Sequence, residues 1–600
     1  MTSLLAISIG PVQEFIAAGR RAGDLFAGSD LLARLSKAVA CALRDSGAEL
    51  IFPADADHLA TNKLLVLVPS GPKPTALGVA RWAAENVLWQ AWDETRPHIR
   101  PELLDADLAE NQISGFLEFY AAWIPVRDGY ARARQEVDCL LAGRKALRNF
   151  EQPMSRAGRP KSPLDPTRDC VFLTGTNLAV PAQLVGTAPL RLKKRETLDA
   201  VSLIKRHLGA QERRFPSTSM MAAECILPAA RKADGGPEAV AALERLASET
   251  DLGADFSDLL FPERQKALEE ELSGAGDDVN AQRIHAEAPG LRQRVLRAGW
   301  LPEKPAACPA YYAILAADGD RMGKMLGELI AEPTDTVPLI PREQSAALRK
   351  PDPRDTHRAF STALHGFAVE AREIVDRHHG RAVYTGGDDV LALIPINTAI
   401  PCAAALKSAF EASLPGGTLS VGVAIAHHLE SLQTALEYAR EAEREAKKKR
   451  NSLAVALHTR GGAPAIAADE WNNSTVENWD QWIATFRGDG LSRGFPYELR
   501  QLAREFGGLS GRVAAAEQSA RMGERLQQEA LRILERKKGG KDSEAIKRVK
   551  ESLRISEPAD GNAKPELSDI SDRCARLAEK LVIARFLGGY PAARLGEDHV

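Results

Sequence analysis

Apolar positions along this chain switch between a period of two and a period near 3.6, and the switching is clearest between Tyr311 and Arg460. The apolar run Tyr311–Ala317 predicts a strand that ends in Asp318-Gly319-Asp320. Helical spacing follows over Arg321–Ile330 and again over Thr356–His379. Two short apolar runs then flank Gly386-Gly387-Asp388-Asp389, the pattern of a β-hairpin over Arg381–Pro395 with carboxylates at its tip. A helix over Ile400–Leu414, a strand over Leu419–Ala426, a charged helix over Ser431–Lys449 and a strand over Ser452–Thr459 complete the series. The order is βαββαβ with additions.

The N-terminus carries a second version of this order. The stretch Leu4–Gln13 reads as a strand running into a helix over Glu14–Arg44. Strands are predicted at Glu49–Pro53 and Lys63–Val68, a helix at Ala76–Thr95, and a return to the sheet within Ile113–Pro125. The reading is an α+β, multidomain protein with two ferredoxin-like palm domains, the layout of nucleotidyl cyclases and many polymerases. Residues 1–126 form the first palm and 301–462 the second. Residues 127–300 form a mainly helical linking region, and after Gly461-Gly462-Ala463-Pro464 only helices are expected, so 463–600 is a helical bundle. Trp479, Trp482 and Phe486 are core positions at near-helical spacing. The segment Ala331–Thr356 interrupts the second palm as a Pro-rich loop, either a lid or a passive insertion.

The acidic residues of the second palm carry the chemistry. A strand ending in Asp318 and a hairpin bearing Asp388 and Asp389 converge in one sheet, with Asp320 a weaker fourth candidate. Carboxylates gathered at one point repel unless a cation sits between them. Hard oxygen donors open to substrate suit Mg²⁺ or Mn²⁺, two per active site. Such a pair bridges the α-phosphate of a nucleoside triphosphate. Gly319, Gly386 and Gly387 leave room for nucleotide, and Lys447 is placed to hold triphosphate oxygens. Each motif alone has a plainer reading: a solvated turn for Gly-Gly-Asp-Asp, a solvated helix end for Lys447–Arg450. Their order on the expected elements favours the site. The first palm has Ala54-Asp55-Ala56-Asp57-His58 at the corresponding hairpin, without paired glycines, and is read as catalytically silent.

Composition narrows the classes. Six hundred residues require several cores, and 44% hydrophobic with 26% charged residues is ordinary for a globular chain. A net charge of −3 means that any nucleic-acid contact comes from local patches or from partners. Lys205 and Arg206 are such a patch, facing RNA or nucleotide phosphates, or else a solvated helix edge. No apolar run reaches membrane-spanning length. The seven cysteines are scattered without a Cys-x-x-Cys pair, which points to reduced thiols in the cytoplasm and to no structural zinc. The doublets His378-His379 and His427-His428 are read as surface or core residues in preference to metal ligands.

The Gly386–Asp389 motif, Asp318-Gly319-Asp320-Arg321-Met322-Gly323 and Val423–His428 resemble the large palm-cyclase subunit of type III CRISPR effector complexes, in its Cmr-type (III-B) branch. Ile9–Ile16 with Arg20-Arg21 and Asp24-Leu25, Leu198–Arg206 and Phe215–Ser219 resemble the same subunit. Ala446-Lys447 with Arg450-Asn451 resembles the triphosphate-lysine element of GGDEF diguanylate cyclases. Lys161-Ser162-Pro163-Leu164-Asp165 matches a position where some members carry zinc cysteines, which are not present in this stretch. Many members begin with an HD nuclease domain; the first palm starts at residue 4 here, so that domain and its DNA cleavage are expected to be missing.

The resemblance implies a subunit that works with other Cmr-type subunits, a CRISPR guide RNA and complementary target RNA. It implies an ATP-dependent nucleotidyltransferase that target RNA switches on, making a cyclic oligoadenylate second messenger in antiviral defence. Joining AMP to another acceptor, such as S-adenosylmethionine, is a variant of the same chemistry. A catalytically idle RNA scaffold and a free-standing cyclic-dinucleotide synthase are the alternatives.

Overall fold

The computed structural model describes residues 2–592 apart from 59–60, 72–73, 148–152, 174–188, 194–195, 212–214, 251–254, 275, 301–308, 332–342, 489, 511–515, 538–543 and 555–565. Residues 332–342 of the Ala331–Thr356 interruption therefore lie outside the described residues.

The chain opens with β1 (Thr2–Gly10), α1 (Gln13–Ala17), α2 (Ala22–Asp45), β2 (Glu49–Phe52), β3 (Lys63–Pro69), α3 (Thr75–Thr95), α4 (Ala106–Ser114) and β4 (Glu118–Pro125). The four strands form an antiparallel sheet in the order β2-β3-β1-β4. The single helix expected over Glu14–Arg44 is two. The carbonyls that end α1 are taken by the Lys205 ammonium, 2.5 Å from Phe15 O and 2.7 Å from Ala18 O. Helix α2 then starts with the Arg21 N–H donating to Asp24 Oδ2 at 3.3 Å.

Helices fill the stretch to residue 300: α5 (Tyr130–Ala146), α6 (Ala200–Gln211), α7 (Thr218–Ala223), α8 (Leu227–Ala230), α9 (Gly236–Ser248), α10 (Ser257–Leu260), α11 (Pro262–Gly274) and α12 (Asp278–Gly299). Between α5 and α6, residues 153–173 are held by ion pairs. Arg159 reaches Asp105 at 3.0 Å and Phe172 O, Arg156 reaches Asp105 at 3.2 Å, and Lys161 lies 2.5 Å from buried Asp169.

The second sheet is built from β5 (Tyr311–Gly319), β6 (Arg381–Gly386), β7 (Asp389–Ile394), β8 (Leu419–His427), β9 (Ser452–Leu457) and β10 (Ala465–Glu470), in the order β10-β9-β8-β5-β7-β6. Its helices are α13 (Met322–Ile330), α14 (Pro353–Arg377), α15 (Ala399–Ser413) and α16 (Leu432–Lys449). The α14 helix starts three residues earlier than expected because Asp352 caps it and Pro353 occupies its first position. Strand β10 corrects the expectation of helices alone after Gly461: it pairs antiparallel with β9 through Ala465↔Leu457 to Glu470↔Ser452, so the sheet runs beyond residue 462. Its sequence, Ala-Ile-Ala-Ala-Asp-Glu, has one β-branched residue and gave no strand signal. The rest of the chain is helical: α17 (Thr475–Arg487), α18 (Phe495–Ser510), α19 (Ala516–Lys537), α20 (Glu544–Leu553) and α21 (Leu567–Leu587). Trp479, Trp482 and Phe486 are buried, as expected.

Alternate side chains of each central strand point into different cores. Leu4, Ala6, Ala313, Leu315 and Ala317 enter one core, which continues through Trp479 to Leu581 of the C-terminal helices. Leu5, Ile7, Tyr312 and Ile314 enter the other, shared with α2, α3 and the linking helices. Both sheets are thus covered on both faces, which is why their central strands read as unbroken apolar runs.

The two halves meet along α14. Phe52 and Tyr130 pack on His357, and the Tyr130 hydroxyl lies 2.6 Å from its Nδ1. Burial, then the charge of Arg134, push the His357 pKa down to about 3. An unfolded histidine takes up its proton near 6.5. Stability should therefore fall as pH drops below 6.5, by up to about 1.4 kcal/mol per pH unit, until His357 itself titrates. Urea midpoints between pH 7 and 5 should show this slope reduced in His357→Gln; an equal slope in both chains would refute the assignment.

Candidate active site

The register of the second sheet brings the acidic residues together. Strand β5 pairs with β7 up to Ala317↔Val390 and with β8 through Asp318↔Ser420. The next residues along, Asp318 and Asp389, are therefore neighbours at one end of the sheet. The β6–β7 hairpin closes over Gly387-Asp388, with Gly386 opposite Asp389. Gly387 has φ +65°, which a two-residue hairpin loop demands and a side chain resists. Carboxylate oxygens of Asp318, Asp388 and Asp389 all lie within 4.8 Å of one another.

Three acids this close cannot all ionise cheaply. Burial, then the charge of Asp318, push the Asp388 pKa up to about 6. Asp389 is raised by burial, by its hydrogen bond with Asp318 and by the charges of Asp388 and Asp318. The donor set is three oxygens with no nitrogen or sulfur, and its excess negative charge favours a divalent cation. The residues fit Mg²⁺ or Mn²⁺.

Lys447 projects from the last turn of α16 into this cluster. Its ammonium lies 2.9 Å from the carbonyls of Asp318 and Gly319 and pairs with the Asp318 carboxylate. The helix places it there by close approach to β8: a Cβ on Gly422 would stand 2.2 Å from Glu443 N. Glu443, one turn before Lys447, was not singled out by the sequence reading. Burial, then the charge of Asp318, raise its pKa, so it belongs to the same electrostatic cluster. Its i, i+4 spacing from Lys447 was the available signal.

Other expected site residues have different places. Asp320 is not in the triad. Its carboxylate is 5% exposed and accepts from Ser420 Oγ (2.8 Å), Thr418 Oγ1 (2.9 Å) and Asn451 N (2.8 Å), so it ties three segments together. Gly319 and Gly386 are small because protein fills the space: a Cβ on Gly319 would lie 2.8 Å from Asp388 Cβ, and one on Gly386 would lie 2.2 Å from the Tyr384 hydroxyl. Gly387 is the open one, with Thr61 Cγ2 3.8 Å from the position of its Cβ.

Lys205 and Arg206 are a correction. Each is 1% exposed, so neither faces RNA. Lys205 caps α1, and Arg206 binds Asp24 through two nitrogens at 2.9 and 3.0 Å and Glu196 at 2.5 Å. A charge doublet on a helix reads as solvated until its distant partners are seen. His378 and His428 are buried with ordinary partners, Ile374 O at 2.7 Å for the first and Ser219 Oγ at 2.9 Å for the second. No helix among the described residues is long and apolar enough to cross a membrane.

Comparison with known proteins places this geometry. Residues 311–454 match the family model described as "Cas10/Cmr2, second palm domain", and residues 4–114 match "CRISPR-associated protein Cmr2, N-terminal". The chain is 34% identical over 175 residues to the CRISPR system Cmr subunit Cmr2 of Pyrococcus furiosus; the match covers 27% of this chain and 20% of that relative's length. Two cryo-EM structures of type III-B Cmr-beta share the fold. The apo state superposes with a TM-score of 0.60 at 13% identity, over 98% of this chain and 82% of that one. The form bound to cognate target RNA gives 0.58 at 12% identity, over 98% and 83%. The acidic triad and its lysine lie inside one matched segment and most of the first sheet lies inside the other, so these two segments are similar to the Cas10/Cmr2 family.

Proposed function

We propose that the second sheet carries a metal-dependent nucleotidyltransferase site that uses ATP to make a cyclic oligoadenylate or a related AMP-containing second messenger. The observation that supports this best is the meeting of Asp318, Asp388 and Asp389 within 4.8 Å at a hairpin tip, with Lys447 beside them. In this reading both sheets are palm domains, and the first is catalytically silent because its Ala54–His58 turn lacks a carboxylate pair behind glycines.

The reaction joins the 3′-oxygen of one nucleotide to the α-phosphorus of ATP. The bond to the bridging oxygen breaks, pyrophosphate leaves, and the hydroxyl proton goes to solvent. Divalent cations, when bound, lower the pKa of the attacking hydroxyl and neutralise the leaving group. Asp318, Asp388 and Asp389 would hold them. Lys447 moves from the Asp318 carboxylate to triphosphate oxygens, a short displacement for a flexible four-carbon stem. Asp320 does not touch substrate; it fixes the end of β5 against β8 and Asn451.

The chain would work within a Cmr-type effector assembly, with other subunits, a guide RNA and complementary target RNA that switches the site on. The relative's name as a Cmr subunit supports this, as does the net charge of −3, which leaves RNA binding largely to partners. Mass spectrometry of products from ATP and Mg²⁺, with the assembled complex and with or without target RNA, tests the reading. Target-dependent oligoadenylates are expected. An AMP adduct formed with S-adenosylmethionine present would keep the site and change the acceptor. No product with Mg²⁺, Mn²⁺ or Co²⁺ would leave an RNA scaffold.

A further inference from the structure

The seam between the edge of the second sheet and the C-terminal helices holds a cavity of about 510 Å³, a volume ordinary for a small-molecule site. Its floor is apolar: Leu457 at the end of β9, and Val582 and Phe586 of α21. Gly461, in the turn into β10, faces open space, with nothing within 4 Å of where its Cβ would stand. The remaining wall is one face of α18, with Arg500 and Arg504 one turn apart.

Those two arginines are not satisfied alike. Arg500 is 8% exposed; its Nη2 is engaged by the Glu579 carboxylate and lies 3.4 Å from Pro464 O. Its Nε is buried and has no hydrogen-bond partner. Arg504 has no ion pair among the described residues and stands exposed at the cavity. Like charges four residues apart on a helix repel, and Glu579 offsets only the first. A buried, unpartnered guanidinium N–H beside an uncompensated charge, over an apolar floor, asks for a ligand with an anionic end and a flat apolar body.

We propose that this cavity is a second nucleotide site, taking a ligand the size of a nucleoside monophosphate. The base lies on the Phe586 side, and the phosphate accepts from Arg504 and from Arg500 Nε. No bond is made or broken there. The site is separate from the acidic triad, and its existence does not depend on the reaction proposed above.

Equilibrium dialysis of AMP against the full-length chain carrying Asp388→Ala and Asp389→Ala tests this without turnover. One AMP per chain is expected. Adding Arg504→Glu, an exposed change that should leave the melting curve in place, should weaken AMP binding by at least about tenfold. Adenosine, without the anion, and inorganic phosphate, without the base, should each bind at least about tenfold more weakly than AMP. The proposal is overturned if AMP shows no saturable binding below about 1 mM, or if Arg504→Glu leaves its affinity unchanged. Phosphate or adenosine binding as tightly as AMP would also refute it. Because the palm carboxylates are already removed, none of these outcomes bears on the triad.

Discussion

Replacing Asp388 and Asp389 together by alanine should reduce ATP turnover by more than about 10³-fold, to background, and leave assembly with partners intact. The size of the loss follows from the geometry. Two of the three carboxylates that converge within 4.8 Å disappear, and of the triad only Asp318, already paired with Lys447, is left. One carboxylate beside an ammonium no longer attracts a divalent cation. Stability should move the other way. Asp388 titrates near 6 in the folded chain against 3.8 unfolded, so ionising it costs folding free energy as pH rises between those values. At pH 7 without metal the double variant should melt no lower than the parent, and its melting temperature should no longer rise with added Mg²⁺. Turnover at the parent rate in a well-folded double variant would remove the triad from the chemistry.

The second large effect is on stability. Arg206→Met should cost roughly 3–5 kcal/mol, because it removes the guanidinium that both buried carboxylates share. Asp24 is 2% exposed and Glu196 3% exposed. The nearest remaining cation, Arg21, sits 3.6 Å from Glu196 and is itself partly exposed. Burial works to raise the Glu196 pKa, and the hydrogen bond and charge of Arg206, helped by Arg21, overcome it and hold the group down to about 2. That stabilisation is present above the unfolded value of 4.5 and is lost as pH falls through 2. In the variant the balance reverses for Glu196: burial without Arg206 raises its carboxyl, and acid should stabilise the variant relative to neutral pH. Urea midpoints at pH 4 and 7 distinguish the cases. A variant within about 1 kcal/mol of the parent at pH 7 would mean that the ion network is not what joins α2 to α6.

The sheets and the triad were legible because their signals are local. An apolar run ending in an acid, and a Gly-Gly-Asp-Asp between two such runs, each specify a strand end within a few residues. The opposite case is Arg206, whose partner Asp24 lies 182 positions earlier. Nothing near Lys205 and Arg206 distinguishes a capped, ion-paired pair from a solvated edge. Asp320 fell between the cases. It stands beside the triad in sequence, but its carboxylate is taken by Thr418 and Ser420, with the Lys447 ammonium at 3.4 Å. Strand β10 was hidden by composition, since alanine supports either kind of element and only the pairing with β9 decides.

The shared cores have a consequence for how the molecule can be taken apart. Leu4 of the first sheet, Leu315 of the second and Leu581 of the last helix belong to one continuous apolar body. No cut between them leaves a fragment with a finished surface. A chain shortened to either sheet would expose a broad greasy wall and aggregate or recruit chaperones. Insertions and tags belong at surface turns away from this seam. Division of the chain by sheet topology, natural as it looks on paper, does not divide it into pieces that stand alone.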